Sequence, residues 1–140
     1  TTTGSGAEAK ARKYLFSWIK EQGINISAEE VRVFSYYNFE RIHKSDFFYK
    51  ICVSIPKDMV ITNNKIKKEN FPGGSYLKKS IIYKKNAQSW YNFIRYIEES
   101  NQYSFGSQPF MEEYVINKLE INGETTTIQH MPIRKKGLLD

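Results

Sequence analysis

The order helix, strand, turn, strand occurs twice along this chain, and that repetition limits its fold more than any other feature. Residues 7–22 and 86–100 each place apolar side chains at i, i+3 and i+4 spacing, which predicts two amphipathic helices, and Gly23 is expected to end the first. Aromatic and β-branched runs bounded by turn residues such as Pro, Gly and Asn predict strands. The predicted strands are 31–38, 46–56, 63–70, 75–83, 109–116 and 125–133, with a hairpin turn at Asn122-Gly123.

The two copies share residues as well as order. The run ICVSIP at 51–56 aligns with TIQHMP at 127–132. A strand at 75–83 precedes the second helix, whereas the strand expected before the first helix is missing or reduced to residues 1–3. We therefore predict an α+β fold of two β-α-β-β repeats with pseudo-two-fold symmetry, an antiparallel sheet with the helices on one face, and a ligand groove between the repeats.

Length and composition fit one domain. The chain has 140 residues, of which 40% are hydrophobic and 26% are charged, an ordinary globular mixture. We expect a single domain at 7–134, with repeat one at 7–56 and repeat two at 63–133. Residues 1–6 and 135–140 are predicted to be a flexible N-terminal segment and a flexible tail. The small, polar start suggests a fragment of a longer protein.

Composition also indicates which cell compartment and which cofactors to expect. The single cysteine, Cys52, excludes an intrachain disulfide framework. No apolar run approaches the roughly 20 residues that span a bilayer, and no signal peptide is visible. We therefore predict a cytoplasmic protein without a membrane partner. His43 and His130 are isolated and have no cysteine near them, so we expect neither a metal site nor a cofactor.

The net charge of +6 permits contact with nucleic acid, but its distribution argues against it. The basic residues form small groups rather than a continuous stripe. Lysines at strand edges and in turns keep sheets from associating edge to edge. We interpret the groups as solvated edges and turns, and expect no direct nucleic-acid binding by this domain.

The strand around FMEEY, residues 110–114, carries two adjacent carboxylates. Alternation along a strand puts Phe110, Glu112 and Tyr114 on one face and Met111 and Glu113 on the other. A buried carboxylate needs a partner, a proton or a cation. Glu112 among rings suits an amphipathic cation, and the alternative is a glutamate that pairs with a lysine on a neighbouring strand. Glu113 is expected at the surface or rim.

Four motifs in order give this chain a resemblance to a known family. It resembles the GyrI-like family, the effector-binding domain of bacterial transcription activators, over residues 8–134. The resemblance implies that Glu112 lies on the floor of a pocket that meets lipophilic cations in drug-sensing members. Met111 departs from the family, which usually has an aromatic residue there. The motifs are FPGGSY (71–76), SWYNFIRYIEES (89–100), FMEEY (110–114) and TIQHMPI (127–133).

Further aromatic residues are candidates for lining the pocket. Trp18 is favoured because the family often has a tryptophan at that position, although Trp18 and Trp90 could both be core residues on helix faces. Tyr76 follows a Gly-Gly turn and is expected near the pocket mouth. The predicted ligand-binding residues are Glu112, Trp18, Tyr37, Tyr49, Tyr76, Tyr96, Phe110 and Tyr114.

The sequence therefore predicts a small-molecule effector-binding domain without catalytic residues. The resemblance implies the ligand-sensing part of a bacterial transcription regulator, with multidrug-type binding and with any fused or associated DNA-binding domain outside this chain. Two alternatives stay open. One is a small-molecule hydrolase of the same fold that uses Glu112 as acid or base. The other is a stand-alone module that binds gyrase or a DNA-associated protein.

Overall fold

The computed structural model describes residues 1–41, 44–82, 86–115 and 126–137. The predicted Asn122-Gly123 hairpin turn lies outside the described residues, as does His43. The chain divides into two compact units, Thr1–Phe71 and Pro72–Asp140, which we call the first and second units.

The first unit is a helix on three antiparallel strands. Strand β3 lies between β1 and β2, with Thr2 opposite Tyr49 and Ser35 opposite Ile51. The helix packs against β3 and β1. The elements are β1 (Thr2–Thr3), α1 (Ala7–Glu21), β2 (Val33–Tyr37) and β3 (Phe48–Val53), with a short 3-10 helix at Phe39–Arg41.

Alternation and helical periodicity explain the core of this unit. The buried stripe of α1 includes Leu15, Trp18 and Ile19. Alternate strand residues, among them Val33 and Tyr49, are buried while their neighbours are only partly covered. Each large apolar side chain buried in this way contributes about 1.5–3 kcal/mol relative to exposure.

Gly23 ends α1, as predicted. Its φ of 67° lies in the left-handed region that glycine adopts without strain. The Gly23 amide donates to the Lys20 carbonyl and the Ile24 amide donates to the Ile19 carbonyl, both at 3.1 Å. This pair of hydrogen bonds is a Schellman motif, which satisfies carbonyls that the helix end would otherwise leave unpaired.

The second unit is built around one long strand. Strand β7 (Thr126–Lys135) pairs antiparallel with β4 along residues 126–132 on one edge and with β6 along residues 127–130 on the other, while its residues 133–135 pair with β5. Helix α2 buries Trp90, Phe93 and Ile97, which follow the predicted apolar stripe. The elements are β4 (Tyr76–Ile82), α2 (Asn86–Glu98), β5 (Tyr103–Phe105), β6 (Met111–Tyr114) and β7 (Thr126–Lys135).

The α+β class, the antiparallel pairing and the two predicted helices are confirmed. The predicted strand at 63–70 is wrong, since this segment contains turns and no strand. Its local chemistry explains the difference: the Asn63 side-chain oxygen accepts from the Lys65 amide at 2.8 Å, which is an Asx turn. The sequence also missed β5, which at three residues is too short to show a period.

Candidate functional site

Glu112 lies in the middle of the second unit, between α2 and the strands. It sits on β6 directly opposite Gln129 of β7, and only 1% of it is exposed. The indole Nε1–H of Trp90 donates to Glu112 Oε1 at 2.7 Å. The carboxyl group of Glu112 therefore faces the helix and accepts a hydrogen bond from it.

The tryptophan that bonds this carboxylate belongs to a row of stacked aromatic rings. Trp90 stacks on Phe110 with centroids 5.6 Å apart and on Phe93 with centroids 6.3 Å apart. Phe105 extends the row by stacking on Phe110 at 6.2 Å. We call Phe93, Trp90, Phe110 and Phe105 the aromatic row. It contacts Glu112 through the indole N–H of Trp90, and its ring faces carry quadrupoles that attract organic cations.

Polar groups share the strand face beneath α2. The Ser89 hydroxyl donates to Gln129 Oε1 at 2.8 Å, so a second hydrogen bond joins the helix to β7. Thr127, also fully buried, is opposite Tyr114 and two residues from Gln129. Among the described residues its Oγ1 has no hydrogen-bond partner. A buried hydroxyl in that state costs about 1–3 kcal/mol.

The opposite face of the same strands carries a second acidic group. Glu113 Oε1 lies 3.0 Å from His130 Nε2, and the two side chains are 15% and 6% exposed. Glu113 is therefore more buried than the surface or rim position that the sequence suggested. Tyr76 packs its ring edgewise on His130 at 6.0 Å and donates its hydroxyl to the Pro109 carbonyl. Burial raises the pKa of Tyr76.

Three predicted ligand residues lie in the first unit. Tyr37 and Tyr49 stack with centroids 5.6 Å apart, and Arg12 Nη2 donates to the Tyr49 hydroxyl at 3.5 Å. Trp18 is buried in the apolar stripe of α1. The structure thus places Trp18 and Tyr49 in the core of that unit and Tyr37, half-buried, beside Tyr49.

The remaining candidates belong to the second unit but do not all meet. Phe110 joins the aromatic row above Glu112, and Tyr114 is half-buried at the end of β6. Tyr96 is an exposed residue of α2. Tyr76 lies beside His130, on the face opposite Glu112.

Sequence reasoning missed Trp90 as the partner of Glu112. A signal was present, because Trp90 and Phe93 are three residues apart on the apolar stripe of α2. What was not visible is that this stripe packs over Glu112 rather than over Glu113. Cys52 is a half-buried free thiol, and its burial raises its pKa, which disfavours a thiolate nucleophile.

Neither a metal site nor a membrane-spanning helix is found in the described part of the chain. No group of three or more His, Cys, Asp and Glu side chains there could hold a metal ion. No helix there is both long enough and apolar enough to cross a membrane.

No protein-family model matches this chain, and a search of curated proteins finds no match either. The resemblance to the GyrI-like family therefore rests on the motifs quoted above and stays a hypothesis.

Proposed function

We propose that this protein binds a small amphipathic cation at Glu112, beneath the aromatic row. One observation carries the proposal: Glu112, which is 1% exposed, accepts a hydrogen bond from Trp90, a ring that is stacked in the aromatic row. A carboxylate in such surroundings favours a compensating positive charge. A lipophilic cation supplies that charge and also apolar surface for the rings.

The contacts indicate what the ligand would look like. Each ring that meets the cation face-on contributes about 0.5–2 kcal/mol, and more where water is excluded. The Thr127 hydroxyl and the Gln129 amide on the same strand face offer polar contacts for an ether, carbonyl or amine group. Such a mixture of an apolar lining with a few polar groups is typical of small-molecule sites.

Binding at Glu112 would be coupled to movement of α2. The indole of Trp90 occupies one carboxylate oxygen, and the side chain is closed off from solvent. A ligand that pairs with this oxygen has to replace the indole N–H, which requires α2 or the segment around Phe110 to shift. Ligand binding that prefers a shifted state changes the balance between states, as a sensor requires.

The sensor role fits the effector-binding function that the GyrI-like resemblance implies. Apart from the three-residue β5, both units follow strand, helix, strand, strand, and in both the last of these strands lies between the other two, as β1-β3-β2 and β4-β7-β6. This shared order supports our proposal that the units are two β-α-β-β repeats. We infer a cytoplasmic, ligand-sensing module of a bacterial transcription regulator, whose DNA-binding domain would lie outside this chain.

A hydrolase is the second candidate, and the Glu113–His130 pair is the observation that favours it. A carboxylate that orients an imidazole is a common arrangement in general acid–base catalysis. In this candidate the catalytic groups are Glu113 and His130, which lie on the strand face that also carries Tyr76, and Glu112 takes no part. Chemical conversion of a bound compound would distinguish it from a sensor.

The test measures thermal stability in the presence of a cationic, an anionic and a neutral phenyl-substituted probe. The cation and the anion have nearly the same shape. Tetraphenylphosphonium, tetraphenylborate and neutral triphenylphosphine oxide are titrated into wild type, Glu112→Gln and Glu113→Gln. The last variant is the matched control, since it removes a neighbouring negative charge from the opposite strand face. The fold of each protein is checked by circular dichroism. Each compound is recovered, and mass spectrometry shows whether it has been chemically converted.

We expect tetraphenylphosphonium to stabilise wild type and Glu113→Gln, reaching about 2.7 kcal/mol at a concentration one hundred times Kd. Glu112→Gln should lose most of that stabilisation while keeping its fold. Equal stabilisation of the wild type and Glu112→Gln, or none of either, would overturn the proposal. Hydrolysis of an added model ester that stops in Glu113→Gln would favour the hydrolase.

A further inference from the structure

The face of β2 and β3 that points away from α1 combines aromatic rings with cations. Residues that face α1, such as Ser35 and Tyr49, are buried, whereas their strand neighbours are half-buried. Strand alternation puts these neighbours together on the other face. We call the half-buried residues of this face, together with the exposed Arg32 that precedes β2, the cation–ring face: Arg32, Phe34, Tyr36, Phe48 and Lys50.

Distances show that the charges lie against the rings. Lys50 Nζ is 5.3 Å from the centroid of Tyr36 and 3.4 Å from its hydroxyl. Arg32 Cζ is 4.7 Å from the centroid of Phe34. Phe48 meets the Tyr36 ring edgewise, with centroids 5.9 Å apart. Cation–π contacts of this kind position the Arg32 and Lys50 side chains, which keep their positive charge.

Lys50 already forms an ion pair with a carboxylate of the same chain. Lys50 Nζ donates to Glu69 Oε2, and Lys67 Nζ lies 4.0 Å from the other oxygen. Glu69 comes from residues 54–75, a described stretch without helix or strand. Its side chain is 44% exposed while that of Lys50 is 18% exposed, so the anion approaches from the solvent side.

The charge state of the pair suits exchange of one carboxylate for another. Burial alone would lower the pKa of Lys50, but hydrogen bonds to Glu69 and Tyr36 raise it above its usual value. The hydrogen bond from Lys50 in turn lowers the pKa of Glu69. Lys50 therefore stays protonated at neutral pH and attracts an anion.

We propose that the cation–ring face is a second ligand site, which takes a small aromatic carboxylate. The carboxylate of the ligand replaces that of Glu69 on Lys50, and its ring packs beside Tyr36 and Phe48. This site is independent of the site proposed at Glu112, because it lies in the other unit and selects the opposite charge.

Charge on the larger scale favours this class of ligand. The first unit contains twelve Lys and Arg residues and eight Asp and Glu residues, and the whole chain carries +6. A positive field raises the local concentration of anions and their rate of association. It disfavours cations at the same surface, so the two proposed sites do not compete for one probe.

The experiment titrates 2-naphthoate, with neutral 2-naphthamide as the uncharged probe, by calorimetry and ligand-observed NMR. Wild type is compared with Lys50→Met, Glu69→Gln and Lys65→Met. Lys65 is the matched control, since its Nζ also lies over a ring of the first unit, 4.3 Å from the Tyr14 centroid. Glu112→Gln is included to separate this site from the one in the second unit.

We expect saturable binding of 2-naphthoate to wild type and to Lys65→Met, and little binding of 2-naphthamide. Lys50→Met should lose the binding at least tenfold. Glu69→Gln removes the internal competitor and should bind about two- to fivefold tighter, the effect expected from an exposed ion pair. Raising the ionic strength should weaken the binding of 2-naphthoate to each protein.

Glu69→Gln keeps the proposal testable even if Lys50→Met does not fold. The proposal is overturned if neither wild type nor Glu69→Gln shows saturable binding, or if Lys50→Met binds as wild type does. Retained binding in Glu112→Gln is expected, whatever that variant does with tetraphenylphosphonium. Loss of 2-naphthoate binding in Glu112→Gln would mean that the ligand occupies the second unit and would also overturn it.

Discussion

At the scale of single residues, the hydrogen bond between Trp90 and Glu112 is the interaction on which the candidate site depends. The bond joins α2 to β6 and satisfies a carboxylate oxygen that water does not reach. Hydrogen bonds to charged groups contribute about 1.5–3 kcal/mol, and removal of the donor leaves the acceptor buried and less well satisfied. This bond therefore matters both for stability and for any ligand that would replace it.

Trp90→Phe is predicted to lower the free energy of unfolding by about 2–4 kcal/mol, because it removes the donor as well as part of the ring. In Glu112→Leu, which has no acceptor for the indole N–H, the same substitution should cost at least about 0.5 kcal/mol less, since residues in contact are not additive. Urea denaturation of the two single variants and the double variant measures this coupling. Trp18→Phe, at the other buried tryptophan, is the control and should show no coupling to Glu112→Leu. A strictly additive cycle at Trp90 would contradict the assigned bond.

At the scale of elements, the end of α1 shows how one residue positions a helix against its strands. Gly23 has a positive φ, and a Cβ added there would meet nothing within 4 Å. The requirement for glycine is therefore one of backbone conformation and not of space. The Schellman motif that depends on it ends the helix immediately after the buried residues Trp18 and Ile19.

Gly23→Ala is accordingly predicted to destabilise the protein by about 1–2 kcal/mol, the cost of placing an L-residue in the left-handed region. Gly23→Asn should cost less, because asparagine tolerates that conformation. Thermal unfolding of the three proteins gives the comparison. If alanine and asparagine were equally tolerated, the strain argument for the end of α1 would fail.

At the scale of the whole molecule, acid should weaken the fold through two paired carboxylates. Arg41 lowers the pKa of Asp46, and Lys50 lowers the pKa of Glu69. A carboxylate whose pKa is lower in the folded state stabilises the protein above its unfolded pKa, and that stabilisation is lost as the pH falls through the folded pKa. The ordinary values are 3.8 for Asp46 and 4.5 for Glu69, so the loss begins near the upper value.

We therefore expect the free energy of unfolding to decrease as the pH falls from about 5 to 3. Glu69 is partly exposed, so its share is limited by solvent screening to about 0.2–1 kcal/mol. Lys50→Met should reduce the acid-dependent loss by that share, and Lys65→Met should leave it unchanged. Urea denaturation across this pH range measures both. An identical pH profile for Lys50→Met and wild type would show that the Glu69 pair adds nothing to stability.

Local pattern was sufficient to predict most of the elements. The spacing of apolar residues predicted both helices, and the end of α1 followed from Gly23. Alternation showed that one of two adjacent glutamates had to face the core. The prediction failed at 63–70, where alternating lysines resemble a strand edge but the Asx turn at Asn63 bends the chain.

What the sequence by itself determined is therefore both helices, most of the strands and the expectation that one of two adjacent glutamates faces the core. Only the tertiary structure decided that Trp90 holds Glu112 and that Glu113 pairs with His130 on the other face. The reason is physical: a shift of one residue in strand register exchanges the two faces. Which register forms depends on how α2 packs over β6 and β7, and those contacts join residues far apart in the chain.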